Sequence, residues 1–359
     1  FHIHLNVDYP FNLTGILYFP KISNDLNLQK DRIQLYQNQV FVTDNVEGIV
    51  PEFLGLLKGV IDSPDIPLNV SRSYLQSDAS VKKITNYITR KVADKLNSIF
   101  KNERENLESK WNDIKVVIEY GMLTEDKFYD KAESFNLYPT VDDKYFTYEE
   151  LEKRIKKLQT DKDGNLIILY AQNKDEQYTY IESAKEKGYE VLLLDSPIIP
   201  HLMQKLESKK EKIKFSRVDS DTLENLIKKD EEVISKLTDE EKEKLKPMIE
   251  TAVENEKYTV QLEALDSNSM PFMLAQPEFM RRMKEMQQTG GGAMGNLPDM
   301  YSLIVNTNHE LVGKILNTRT EKKRNSLIKQ SIDLAKLSQN NLTGKDLTEF
   351  INRSIDLIK

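Results

Sequence analysis

The chain has 359 residues, which at roughly 100–200 residues per domain corresponds to two or three domains. It contains no cysteine. That excludes thiol nucleophiles, cysteine-ligated zinc and disulfide frameworks, and it fits a reducing compartment, so we expect a cytoplasmic protein. Lys and Arg number 51 against 58 for Asp and Glu, a net charge of −7, which has the wrong sign for a protein whose main partner is nucleic acid.

No uncharged apolar run approaches the roughly 20 residues that a bilayer crossing needs, so we expect no membrane partner. The chain begins at Phe1 rather than at Met, and its first ten residues, FHIHLNVDYP, already alternate between apolar and polar side chains as in a half-buried strand. We therefore expect a piece of a longer protein.

The first third of the chain predicts strands followed by helices. Short apolar or alternating runs at 3–9, 15–20, 32–37 and 40–44 predict an antiparallel start. A long amphipathic helix is predicted from Val81, and a second helix is predicted to end near Gly121. The apolar stripes of the two helices are Ile84, Ile88, Val92, Leu96 and Ile99, then Leu107, Trp111, Ile114 and Ile118. We predict one layered α/β domain over residues 1–121.

The next stretch, residues 122–218, has a β-α-β order. Apolar strands are predicted at 165–171, 189–195 and 212–218, with helices at 175–187 and 198–208 between them. Such strands are parallel because each connection is a helix, and apolar runs fit a sheet that is covered on both faces.

The last stretch, residues 222–359, reads as a mostly helical domain with a small sheet. It contains predicted strands at 258–265 and 301–306, a methionine-rich segment and three helical stretches to the end. The fold class predicted for the whole chain is multidomain α/β and α+β.

A search for catalytic motifs gives mostly negative results. The four histidines, at 2, 4, 201 and 309, are too scattered for a zinc triad, so no metal site is expected. Gly290, Gly292 and Gly295 match the GxGxxG spacing, but a dinucleotide fingerprint follows a strand, and this run follows a helical pattern. We interpret it as a flexible loop.

Seven of the ten methionines lie between 270 and 300. An ordinary core helix would explain this cluster, but flanking prolines and glycines anchor the segment poorly, and thioether side chains suit surfaces that must fit many shapes. We therefore favour an adaptable apolar contact surface. Its candidate residues are Phe279, Met280, Met283 and Met286.

The segment GVIDSPDIPLNVSRSYLQ, residues 59–76, suggests a phosphate contact. Its prolines force an extended loop, and Asn69, Arg72 and Gln76 follow at offsets of 0, 3 and 7, on one face if the exit is helical. A cation flanked by two amides can grip a phosphate without any general base. Taken alone, the segment is better explained by ordinary salt bridging.

The run EGIVPEFLGLLKGVIDSPDIPLNVSRSYLQ resembles the middle-domain signature of the heat-shock protein 90 chaperones. The strand VFVTDN, the β-α-β unit, the methionine-rich segment and the helical C-terminus agree with it in order. The chain is most similar to bacterial members, because it lacks the long acidic linker and the terminal MEEVD motif of eukaryotic cytosolic forms. On this resemblance, 1–121 and 122–218 are the large and small subdomains of the middle domain, and 222–359 is the C-terminal dimerisation domain.

The resemblance implies that Arg72 contacts the γ-phosphate of ATP, with Asn69 and Gln76 beside it. ATP and magnesium would be bound by a preceding N-terminal ATPase domain, so this chain alone is expected to have no ATPase activity and to bind no cofactor itself. Two residues depart from the usual family pattern: Ser73 where Glu is usual, and Ser77 where Gln is common. Neither removes the guanidinium.

The family resemblance also implies partners. The methionine-rich segment resembles the helix that contacts unfolded or partly folded clients, and the last helices resemble a homodimer interface, with an apolar face formed by Leu347, Phe350, Ile351, Ile355 and Ile358. Two alternatives stay open: a nucleotide-using enzyme built on the β-α-β unit, and a dimeric scaffold in which Arg72 only forms salt bridges.

Overall fold

A computed structural model describes residues 1–19, 33–46, 48–66, 79–230, 233–253, 257–290 and 300–358. The chain forms two units: residues 1–139, 143–153 and 196–209 make the first, and residues 140–142, 154–195 and 210–359 make the second. Strands and helices are numbered below in chain order.

The first unit opens with a five-stranded mixed sheet in the order β1-β2-β5-β3-β4. The alternation at the start of the chain buries Ile3 and Leu5 on one face, as predicted. The predicted antiparallel pairing is confirmed for β1 with β2 and for β3 with β4, whereas β3 pairs in parallel with β5, a strand that the sequence pattern did not reveal. The strands are β1 (His2–Val7), β2 (Leu13–Tyr18), β3 (Ile33–Gln37), β4 (Val40–Thr43) and β5 (Lys58–Asp62).

Four helices follow a short 3₁₀ turn at Glu52–Leu56: α1 (Ala79–Asn102), α2 (Arg104–Ser109), α3 (Trp111–Thr124) and α4 (Asp126–Ala132). The apolar stripe predicted for α1, from Ile84 to Ile99, is buried. The second predicted helix is interrupted at Lys110 and continues past Gly121. Glycine is needed at 121 because a Cβ there would lie 2.7 Å from Phe53 and 2.8 Å from Phe128, so its role is close packing rather than helix termination.

A small hairpin, β6 (Tyr138–Pro139) with β7 (Tyr145–Phe146), leads into α5 (Tyr148–Gln159). The Thr147 amide donates to Oε2 of Glu150 at 2.9 Å, and the Glu150 amide donates back to Oγ1 of Thr147 at 3.4 Å. This reciprocal pair is a capping box at the start of α5.

The predicted β-α-β order is confirmed by β8 (Leu166–Ala171), α6 (Tyr178–Glu186), β9 (Val191–Leu193), α7 (Ile199–Lys209) and β10 (Ile213–Arg217). The sheet order is β10-β8-β9 with both pairings parallel. Every residue of the central strand β8 is buried, as expected for an apolar run covered on both faces.

The remainder of the second unit combines a small sheet with helices. β13 lies between β11, with which it is parallel, and β12, with which it is antiparallel. A core around Phe272, Val305 and Ile332 joins this sheet to its helices, and the predicted multidomain α/β and α+β class is confirmed. The elements are α8 (Leu223–Leu226), α9 (Asp239–Glu250), β11 (Tyr258–Glu263), β12 (Phe272–Ala275), α10 (Glu278–Gly290), β13 (Tyr301–Asn306), α11 (Glu310–Asn317), α12 (Glu321–Ser338) and α13 (Gly344–Ile358).

Among the described helices, none combines the length and the apolar character needed to cross a membrane.

Candidate functional site

The proposed phosphate-contacting residues Asn69, Arg72 and Gln76 lie in 67–78, outside the described residues. The structure does describe the chain on either side of this segment. The chain before this segment comes from β5, the central strand of the first sheet, and the chain after it enters α1. The roles of Asn69, Arg72 and Gln76 stay predictions.

The turn that precedes residues 67–78 is hydrogen-bonded to the β1–β2 connection. The Ser63 hydroxyl donates to the Asn12 carbonyl at 2.6 Å, and the Asn12 amide donates to Oδ2 of Asp65 at 2.7 Å. Ile66 is buried beside them. The last described residues before the segment are therefore held by side-chain hydrogen bonds and by packing.

The methionine-rich helix α10 has two faces of opposite character. Its charged residues Glu278, Arg281, Arg282 and Glu285 recur at offsets of 0, 3, 4 and 7, which places them on one side of a helix. This side is the buried one, since the Arg281 side chain is only 4% exposed and Glu278 is 16% exposed. In most amphipathic helices the apolar side is buried instead.

Glu278 is the centre of this polar contact. Its Oε1 accepts from the Tyr170 hydroxyl at 2.8 Å, from Nη2 of Arg281 at 2.6 Å and from Nε of Arg282 at 2.7 Å. Its Oε2 accepts from the Arg217 amide at 3.2 Å. One carboxylate thus joins α10 to β8 and β10.

Both arginines of α10 have further partners. Arg281 donates to Oε1 of Glu285 at 2.5 Å and to the Tyr170 hydroxyl, and Arg282 donates to the Phe215 carbonyl at 2.6 Å. Arg217 is itself paired with Asp219 through bonds of 2.5 and 3.0 Å. We call Tyr170, Arg217, Glu278, Arg281, Arg282 and Glu285 the ionic cluster.

The electrostatics of the ionic cluster favour its charged form. Burial raises the pKa of the Glu278 carboxyl, but the positive charges of Arg281 and Arg282 outweigh it and lower that pKa to about 2. Burial, followed by the charge of Glu278, raises the pKa of the Tyr170 phenol, so the hydroxyl remains protonated and can donate. The Glu278 carboxylate is therefore ionised at neutral pH.

The predicted client-contacting residues lie on the other side of α10. Phe279 is 71% exposed, and Met280, Met283 and Met286 are partly exposed. The glycine run begins at Gly290, the last residue of α10, while Gly292 and Gly295 lie outside the described residues. We call Phe279, Met280, Met283 and Met286 the apolar side of α10.

The burial of the charged residues of α10 is not indicated by the sequence. The alternation of acidic and basic residues at helical spacing was visible in EFMRRMKE, but the same pattern is common on solvated helices. The partners Tyr170 and Arg217 come from strands more than 60 residues earlier in the chain, where no local pattern points to α10.

The C-terminal helix α13, like α10, has a polar side that contacts the rest of the protein and apolar side chains that are exposed. Its Arg353 bridges to Asp333 of α12 and donates to Oε1 of Gln330 at 2.8 Å, and Gln330 donates to the Ser354 hydroxyl at 2.9 Å. The five predicted interface residues occupy other positions: Leu347 and Phe350 are partly buried, while Ile351, Ile355 and Ile358 are exposed, the last to 85%.

Comparison with known proteins identifies the class. The Hsp90 protein family matches residues 1–353, so the chain belongs to the Hsp90 family, and the predicted resemblance is confirmed. The chaperone protein HtpG of Porphyromonas gingivalis (strain ATCC 33277) is 52% identical over 342 residues, which cover 94% of this chain and 50% of that protein.

Other bacterial relatives carry the same name. The HtpG of Bacteroides thetaiotaomicron is 47% identical over 427 aligned residues, covering all of this chain and 63% of that protein. The HtpG of Ruthia magnifica is 28% identical over 368 residues, covering 99% of the chain and 58% of that protein. The chain thus spans between half and two thirds of the length of these relatives.

Proposed function

We propose that this chain is the client-binding and dimerising part of an ATP-driven cytoplasmic chaperone. Membership of the Hsp90 family supports the chaperone role. The single observation that carries the client-binding part is the apolar side of α10, where Phe279 is 71% exposed and the three methionines are partly exposed on a helix whose charged face is buried. Large exposed apolar side chains that gather on one face are typical of interaction sites.

In this proposal the client is an unfolded or partly folded protein. Such chains expose apolar side chains in no fixed arrangement, and flexible thioethers adapt to many shapes. Phe279 supplies a rigid anchor, while Met280, Met283 and Met286 provide the adaptable part of the surface.

The proposed contribution to ATP hydrolysis is electrostatic. Arg72, flanked by Asn69 and Gln76, would stabilise charge on the γ-phosphate of ATP held by the N-terminal domain of the full-length protein. Among the described residues no three Asp, Glu or His side chains gather as a metal site, and we assign ATP and magnesium to that N-terminal domain. The chain alone would then be inactive as an ATPase.

The proposed dimer forms through α13. Its polar side is occupied by α12, and Ile351, Ile355 and Ile358 remain exposed at offsets of 0, 4 and 7. A second copy related by a two-fold axis can cover these side chains with the same surface.

The decisive experiment measures binding of a reduced and alkylated protein that stays unfolded in buffer. Replacing Met280, Met283 and Met286 together with Ser should weaken binding roughly tenfold or more, since each methionine side chain contributes apolar contact area. The matched triple Leu variant keeps an apolar surface of similar volume and should bind nearly as well as the parent. Unchanged affinity of the Ser variant would refute the proposed client site.

A further inference from the structure

The first strand, β1, carries two of the four histidines of the chain, His2 and His4. Burial alternates along this strand, so Ile3 and Leu5 face the core while His2 and His4 are exposed on the opposite face. β1 also lies at the edge of the five-stranded sheet, beside β2. Both imidazole rings are therefore open to solvent on one face of the sheet.

The two rings lean toward each other. Residues two apart in a strand are separated by about 6.6 Å along the backbone, but the ring centroids of His2 and His4 are only 5.2 Å apart, with the ring planes at 87°. Tyr18, the residue paired with His2 on β2, has its ring centroid 6.3 Å from that of His2. Neither imidazole forms a hydrogen bond or an ion pair within the part of the chain that the structure describes, so the ring nitrogens are available to a ligand.

The separation of the rings matches that of two imidazoles on one metal ion. With a metal–nitrogen bond of about 2.0–2.1 Å, a ring centroid about 1.1 Å behind the nitrogen and an angle at the metal of about 90–109°, the two centroids lie about 4.5–5.2 Å apart. The distance of 5.2 Å between His2 and His4 falls at the tetrahedral end of this range. Perpendicular rings can share an ion, because the ion needs only to lie in the plane of each ring.

We propose that His2 and His4 form a surface site for a divalent transition-metal ion, in which each ring supplies one nitrogen and water fills the other coordination positions. Imidazole suits Cu²⁺, Ni²⁺ and Zn²⁺, whereas Mg²⁺ and Ca²⁺ prefer oxygen ligands. Cu²⁺ should bind more tightly than Ni²⁺, and Zn²⁺ should bind less tightly than Cu²⁺. Among the described residues no third Asp, Glu or His joins the pair, so the ion stays exchangeable, unlike a structural zinc with four protein ligands.

The spacing of the histidines along the sequence excludes a zinc triad, but it does not exclude a pair. Strand periodicity places His2 and His4 on one face, and the convergence of their rings appears only in the structure. The proposed site shares no residue with the apolar side of α10 or with α13. Its success or failure is therefore independent of the proposed client site and of the proposed dimer.

The test titrates the full chain with NiCl₂, CuCl₂ and MgCl₂ in separate calorimetric experiments, in a buffer that does not chelate metal ions. We expect one Ni²⁺ per chain, tighter binding of Cu²⁺ and no binding of Mg²⁺ at the same concentrations. His4→Asn leaves one imidazole and should weaken Ni²⁺ binding at least tenfold, since even the loss of a group behind a metal ligand costs about 10–100-fold in affinity. His201→Asn makes the same exchange on α7 and should bind like the parent.

Thermal unfolding gives a second measurement. An ion that binds the folded chain raises the temperature of unfolding, and for the first unit we expect a rise of about 5 °C at a Ni²⁺ concentration near 100 times the dissociation constant. Mg²⁺ should cause no rise, and neither should Ni²⁺ added to His4→Asn at that concentration. Because His4 is exposed, this variant retains the buried residues of β1 and should fold.

Three results would overturn the proposal. Undiminished Ni²⁺ binding by His4→Asn would mean that the ion is held elsewhere, including by His2 together with the amine of Phe1. No binding by the parent at millimolar Ni²⁺ would show that the two rings do not chelate. Equal binding of Mg²⁺ and Ni²⁺ would show that oxygen ligands, not imidazoles, hold the ion.

Discussion

The Tyr170 hydroxyl donates a hydrogen bond of 2.8 Å to Oε1 of Glu278, 108 residues further along the chain. The same hydroxyl accepts a hydrogen bond from Arg281. Tyr170 belongs to the fully buried strand β8, so this oxygen connects the core of a parallel sheet to a helix that has an exposed apolar side. The orientation of α10 depends on such polar contacts.

Tyr170→Phe removes only that oxygen. Glu278 and Arg281 then lose one partner each in a buried place, and we expect the free energy of unfolding of the second unit to fall by about 1–3 kcal/mol. Hydrogen exchange followed by mass spectrometry should show faster exchange in α10. Tyr178→Phe, at an exposed tyrosine, is the control and should change neither quantity. Equal exchange in α10 of the parent and Tyr170→Phe would mean that the hydroxyl does not hold the helix.

Glu278 predicts a pH dependence of stability. Its pKa of about 2 in the folded protein is below the ordinary value of 4.5, so the folded state binds fewer protons and the ionised carboxylate stabilises it. This contribution, at most about 3 kcal/mol, is fully present above about pH 4.5 and is lost as the pH falls toward 2.

The pH dependence is measured as the difference in unfolding free energy between the parent and Glu278→Gln. The difference should be constant between pH 6 and 8 and should shrink below about pH 4.5, where the parent alone begins to lose a charge interaction. A difference that stays constant down to pH 3 would show that Glu278 has an ordinary pKa.

The C-terminal helix gives a prediction about assembly. Replacing Ile351, Ile355 and Ile358 with Ser should weaken the dimer roughly a hundredfold or more, since exposed isoleucines gain stability only when a partner covers them. Sedimentation velocity across micromolar concentrations measures this change. Asn352→Ser, at a neighbouring exposed polar position, should sediment like the parent. A parent chain that is monomeric at these concentrations would remove the basis of the prediction.

The proposed role of Arg72 is tested in a longer protein that includes the proposed N-terminal ATPase domain. Arg72→Ala should lower the rate of ATP hydrolysis by roughly two to three orders of magnitude, as expected when a phosphoryl-transfer arginine is lost. ATP affinity should change much less, because the proposal assigns nucleotide binding to the N-terminal domain. Arg72→Lys keeps the charge without the planar fork and should recover only part of the rate. A hydrolysis rate equal to that of the parent would favour the scaffold alternative.

Local patterns were sufficient for much of the fold. The stripe from Ile84 to Ile99 predicted α1, and the apolar run at 165–171 predicted the buried strand β8, because each pattern reflects burial of its own side chains. β5 escaped prediction because its residues, KGVID, include a glycine and two charges. Its parallel pairing with β3 depends on contacts distant in sequence, which no window of residues reveals.

The candidate site on α10 could be predicted from the sequence only in part. The sequence singled out Phe279 and the three methionines as a possible surface, but it did not reveal that opposite charges on the same helix would be buried against Tyr170 and Arg217. Pairs such as Glu278 and Arg282 have the same spacing on a solvated helix and on a buried one. Only the surrounding strands distinguish the two cases.

The division of α10 into two faces has a consequence for engineering this protein. Residues 279, 280, 283 and 286 are the positions to randomise in a library that retargets the protein, because the hydrogen bonds that join Glu278 to Tyr170, Arg281 and Arg282 come from other side chains. Residues 278, 281 and 282 allow less freedom, because an exchange at any of them changes the contacts around the Glu278 carboxylate. Homologues that diverge at one of these positions should therefore diverge at the others as well.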